Sequence, residues 1–101
     1  MVNGSIKKST IQSEIEIFRG NTLEITLGNF GDEEGAGIYL NPRHAGISKI
    51  YRQLNSNSIV YQYTPNNDFV GKDSVGLILY RGSDGASAGR KDTTIICFVV
   101  R

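Results

Sequence analysis

Ile59-Val60-Tyr61-Gln62-Tyr63-Thr64-Pro65-Asn66-Asn67-Asp68-Phe69-Val70-Gly71-Lys72-Asp73-Ser74-Val75-Gly76-Leu77-Ile78-Leu79-Tyr80 is the stretch that decides the fold, and it reads as strand, loop, strand. Ile59, Tyr61 and Tyr63 share one face at period 2, and Val75, Leu77 and Leu79 repeat the pattern after the loop. Thr64-Pro65 ends the first ladder, because proline has no N–H to donate. Asn66-Asn67-Asp68 supplies turn chemistry and Gly71 permits a positive φ. Phe69 is the large apolar residue of the loop, expected to fold under as a plug at the base of a sandwich. Asp73 opens the second strand, where a carboxylate is expected to accept hydrogen bonds from free N–H groups of a loop.

Working outward, Leu23, Ile25 and Leu27 alternate with Glu24 and Thr26, the mark of a half-solvated antiparallel strand over 22–27. Ile15 and Ile17 alternate with Glu14 and Glu16, which predicts a strand over 11–18. Shorter strands are expected at 38–41, 47–53 and 93–100, beside those at 58–64 and 74–81. Residues 28–37 read as a Gly-, Asp- and Glu-rich loop, Asn55-Ser56-Asn57 as a hairpin turn, and 82–90 as a long flexible tip. Residues 1–10 are expected to be loose, and 11–101 to form a single domain. Seven strands at this spacing suit an all-β, two-sheet antiparallel sandwich, with the first, second, fifth and fourth strands facing the third, sixth and seventh. The expected core is Ile15, Ile17, Leu23, Ile25, Leu27, Ile59, Tyr61, Tyr63, Phe69, Val75, Leu77, Leu79, Ile96, Phe98 and Val100.

The run Tyr63-Thr64-Pro65-Asn66-Asn67-Asp68-Phe69-Val70-Gly71-Lys72-Asp73-Ser74 resembles the signature of cadherin-like and immunoglobulin-like repeats of large bacterial surface proteins. Asn41-Pro42-Arg43-His44-Ala45-Gly46 is similar to that family's Pro-x-x-Gly turn, one residue longer. The resemblance covers roughly 23–100. It implies an immunoglobulin-like sandwich working as a non-catalytic spacer or adhesion module at the cell surface or outside the cell, with neighbouring domains of the same chain or another protein as partners. It also points to calcium, through Asp32, Glu33, Glu34 and Asp84 at one end of the sandwich. There the chain departs from the pattern: Arg81-Gly82 stands where the family has an acidic turn, and Arg81 opposes a cation. A solvated acidic loop, with no cofactor, is therefore the expectation.

Composition narrows the classes. The chain has 101 residues, with 11 Lys and Arg against 10 Asp and Glu, a net charge of +1 that supplies no basic stripe for nucleic acid. Cys97 is the single cysteine, so no internal disulfide forms. No apolar run approaches the ~18 residues that cross a bilayer. Met1-Val2-Asn3-Gly4-Ser5 lacks the apolar core of a signal peptide, so a domain within a longer chain is the preferred reading.

Catalytic chemistry finds little to work with. His44, the one histidine, is expected to be a solvated turn residue. Cys97 sits mid-strand among aliphatics, with no helix N-terminus or cation to lower its pKa. No acid, base and nucleophile assemble, so an enzyme is not expected. One feature is sharper. With Ile96, Phe98 and Val100 pointing inward, Ile95, Cys97 and Val99 point out, joined by Ile78 and Tyr80 and by Ile38 and Leu40. That predicts an apolar outer face, with Ile78, Tyr80, Ile95 and Val99 as its partner surface. A carbohydrate-binding module is the alternative, with Tyr39, Tyr51 and Tyr80 as its aromatic candidates.

Overall fold

Period-2 alternation becomes seven strands in the computed structural model, which describes residues 12–31, 34–82 and 90–101. They are β1 (Gln12–Ile17), β2 (Leu23–Asn29), β3 (Gly35–Leu40), β4 (Ala45–Arg52), β5 (Ser58–Pro65), β6 (Gly71–Arg81) and β7 (Arg90–Val100). The expected loose start at 1–10 lies outside the described residues, as do residues 83–89 of the tip expected at 82–90, whose last residue, Arg90, already opens β7. Two sheets form, ordered β1-β7-β6-β3 and β2-β5-β4. The all-β sandwich expectation holds at that level.

One assignment is corrected. β1 was expected beside β2 and β5, but it joins the opposite sheet and runs parallel to β7, with Ile15 opposite Phe98 and Ile17 opposite Val100. The alternation of Ile15 and Ile17 fixes only which face of the strand is buried. Either sheet satisfies it, and the ladder with β7 is the one formed.

The central stretch lies at the heart of the molecule. β5 is the middle strand of its sheet, and β6 and β7 are the inner pair of theirs. Tyr61, Tyr63, Val75, Leu77 and Phe98 are fully buried. Each such side chain contributes about 1.5–3 kcal/mol through the apolar area it removes from water. The Tyr63 ring stacks on Phe98 with centroids 4.0 Å apart and planes 7° from parallel, and Tyr61 lies 6.4 Å from the same ring. Leu23, Ile25, Leu27, Ile15 and Phe69 pack against this cluster while staying half-buried. Leu79 is half-buried too, toward the end of β6.

The interval read as a loop over 28–37 is shorter than expected. β2 continues to Asn29 through a bulge at Gly28, whose φ is 130°, and β3 begins at Gly35. A Cβ at position 28 would lie 2.8 Å from the Arg81 guanidinium, so glycine is what lets that side chain close over the bulge. Phe30, which the sequence left in the loop, is among the most deeply buried residues. The Arg81 guanidinium stacks 3.9 Å above its ring and donates to the Asn29 carbonyl. Arg52 donates to the carbonyls of Phe30 and Glu34. Two arginines thus fasten the β2–β3 connection.

Candidate functional site

Asp73 is the buried carboxylate of the core region, at 8% exposure. Oδ1 accepts from the backbone amides of Arg43 and Ser74, and Oδ2 from the backbone amide of His44 and the phenol of Tyr63, at 2.9–3.0 Å. The expected role as acceptor for loop N–H groups is met, with a longer reach. The loop it holds is 41–44, between β3 and β4, rather than its own. Oriented amide donors keep the charge supported inside the protein. With four donors on two oxygens, Asp73 is a structural clamp with no free lone pair aimed at solvent.

That clamp shapes what surrounds it. With its amide held, His44 lays its ring on Phe69, 3.9 Å between centroids and 6° between planes. His44 is therefore half-buried, not the solvated turn residue expected from its position. Phe69 plugs the base from this side. Gly71, at φ 141°, carries the chain past it, and a Cβ there would stand 3.3 Å from the ring. An open cleft of about 600 Å³ runs from the 40–44 loop across Lys72, Ser74 and Cys97 to Glu14. The Cys97 thiol is half-buried beside it.

The predicted outer face is assembled by register. Residues directly opposite in the ladder share a face, and on this one Ile78 meets Thr93, Gly76 meets Ile95, and Tyr80 meets Lys91. Lys72 meets Val99 there, and Ser74 meets Cys97. Ile78, Ile95 and Val99 are half-buried and Tyr80 is 43% exposed. Ile38 does not belong to the face: it lies opposite Leu77 and packs into the core. A bulge after Ile38 then turns Leu40 outward opposite Gly76. Tyr39 joins the face, its ring laid over Gly76 so closely that a Cβ there would stand 2.8 Å away. Tyr39 and Leu40 are each 50% exposed. Glu14, Glu16 and Lys72 border this apolar strip, and Glu14 and Lys72 are 3.9 Å apart. Tyr39, which the sequence offered only as an aromatic candidate for carbohydrate, thus joins Leu40 on this face, because the bulge after Ile38 leaves two successive residues facing out.

At the far end, Glu34 accepts from the backbone amides of Gly31 and Gly82, which hold its carboxyl below the usual range. Asp32, Glu33 and Asp84 lie outside the described residues, and no cluster of three or more His, Cys, Asp or Glu forms among those described. Tyr51 donates to Glu24, a bond that raises its pKa. Among the described residues no helix is long and apolar enough to cross a membrane.

No protein-family model and no curated protein matches the chain. Among solved structures, the cysteine protease inhibitor EhICP2 from Entamoeba histolytica is similar in fold, with a TM-score of 0.57 and 16% sequence identity over 88% of this chain and 85% of that one. At that identity the likeness is one of fold, and it supports a β-sandwich of this size.

Proposed function

We propose that this chain is a non-catalytic module of immunoglobulin-like, cadherin-like type, a spacer or adhesion unit of a larger bacterial cell-surface or secreted protein. The observation that carries the reading is the apolar strip of Tyr39, Leu40, Ile78, Tyr80 and Ile95 across the outer face of the four-stranded sheet, a surface suited to a protein partner. The motif at 63–74 supports the type. Asp73 supports the non-catalytic part, because its carboxylate is saturated by structural donors. Antibody labelling of intact cells is the test. Surface labelling is expected, together with loss of cell attachment in an Ile95→Ser, Tyr80→Ser variant. Signal confined to the cytosol overturns the reading.

The overlap with EhICP2 along most of both chains favours a second reading, inhibition of a cysteine protease. Titration against a cysteine protease separates the two: stoichiometric loss of protease activity replaces the adhesion reading. The carbohydrate alternative would use Tyr39 and Tyr80 on the same outer face, and binding on a glycan array is its signature.

A further inference from the structure

We propose that two copies of this chain pair through β3, edge to edge and antiparallel, so that the two four-stranded sheets become one continuous sheet of eight. β3 ends its sheet, leaving one row of its backbone N–H and C=O groups without a strand partner among the described residues. Edge strands discourage such pairing with charge. β1 carries Glu14 and Glu16, β2 carries Glu24, and β4 carries Lys49 and Arg52. β3, Gly-Ala-Gly-Ile-Tyr-Leu, carries no charge and no proline. Its edge is also uncovered by its own largest side chain, because the Tyr39 ring leans inboard over Gly76 of β6.

The order of residues along β3 names the occupant. Its first half is small (Gly35, Ala36, Gly37) and its second half large (Ile38, Tyr39, Leu40). Antiparallel pairing of two copies sets each small half against the other's large half. A two-fold axis at Gly37 places Gly35 opposite the second copy's Tyr39 on the outer face, and Ala36 opposite its Ile38 on the core face. Faces match in that register, as a continuous sheet requires. Charge agrees. In that register Glu34 stands opposite the second copy's Leu40, so no like charges meet across the axis. Such an interface is isologous and closes at two copies. The inference goes beyond the adhesion reading and uses the strand edge rather than the apolar face.

Light scattering across a concentration series, with hydrogen exchange on the same samples, tests it. The expected mass at high concentration is twice that of the monomer, with slowed exchange at the 35–40 amides. Gly37→Lys sets two ammonium groups across the axis. Its Cβ meets only Ile78 Cγ2, at an ordinary 3.6 Å, and Gly35→Lys enters open space, so both variants fold. Each is expected to return the mass to that of a monomer, while Ile95→Ser, two strands away, leaves it doubled. A wild type that stays monomeric throughout overturns the proposal. So does a dimer that both lysine variants leave intact. If Ile95→Ser alone dissociates that dimer, the copies meet face to face, which overturns the edge pairing and keeps the apolar face as a contact surface.

Discussion

The phenol of Tyr63 on β5 donates to Oδ2 of Asp73 on β6, 2.9 Å away, joining the two sheets through a buried hydrogen bond. The same carboxylate holds the 41–44 loop, so one residue fastens two sheets and a connection. Removing the two ends of the bond has unequal effects. Tyr63→Phe deletes one donor and leaves three on the carboxylate, an expected loss of about 1–2 kcal/mol. Asp73→Ala strands the Tyr63 hydroxyl and three amides, an expected loss of about 3–5 kcal/mol. Urea denaturation measures both, and equal losses would contradict the clamp.

Gly76 is required by what lies on it rather than by its backbone angle. A methyl group at this position would meet the Tyr39 ring and Leu40 Cβ at 2.8–2.9 Å. Gly76→Ala is therefore expected to lift Tyr39 and cost about 1–3 kcal/mol, as overpacking does. A Gly76→Ala, Tyr39→Ala pair should lose less than the sum of the single changes. Additive losses in thermal melts would refute the contact.

Phe69 and Gly71 form a second dependent pair at the base. Phe69→Ala removes the ring stacked on His44, and its partial burial limits the expected loss to about 2–3 kcal/mol. Gly71→Ala combines a positive φ with a Cβ 3.3 Å from that ring, an expected loss of about 1–3 kcal/mol. Placing both changes in one chain relieves the steric part. Denaturation midpoints of the single and double variants give the coupling directly.

The parts of this fold that repeat at period 2 were legible in the sequence. Tyr61, Tyr63, Val75, Leu77 and Phe98 were placed inside by alternation alone, and inside is where they lie. Alternation says which side chains are buried but not which strand is the neighbour, and β1 was misplaced for that reason. Bulges hid the rest. Ile38 faces in and the break after it leaves Tyr39 and Leu40 both facing out, and the bulge at Gly28 carries the chain to Phe30. A single large apolar residue among Gly, Asn and Asp was the available signal for Phe30. His44 was misread because nothing local announces a partner 25 positions further along, at Phe69.

Calcium is expected to leave the melting temperature unchanged. Both oxygens of Glu34 accept backbone amides, and the Arg81 guanidinium stands beside the same connection. A divalent cation needs several free oxygens at one point and finds the described carboxylate engaged and a fixed positive charge nearby. Calorimetric heat on adding calcium, with a rise in melting temperature, would return Asp32, Glu33 and Asp84 to a ligand role.

Alkaline pH probes the aromatic core. Burial pushes the Tyr61 phenol up to about 12 from its ordinary 10.0, and Tyr63 is raised too, by burial and by its bond to Asp73. The folded state thus prefers both phenols neutral. A group whose pKa is raised by folding contributes stability that is complete below its unfolded value and lost as pH climbs through the folded one. For Tyr61 that window runs from 10.0 to about 12. Stability should therefore decline across this range, with tyrosinate absorbance from the buried rings appearing together with unfolding. Tyr61→Phe removes one of the two ionisations and should flatten the decline, even though it gives up the Ser48 hydrogen bond and starts from a lower stability at neutral pH. An unfolding free energy that falls just as steeply in Tyr61→Phe as in the wild type would show that the loss arises elsewhere in the chain.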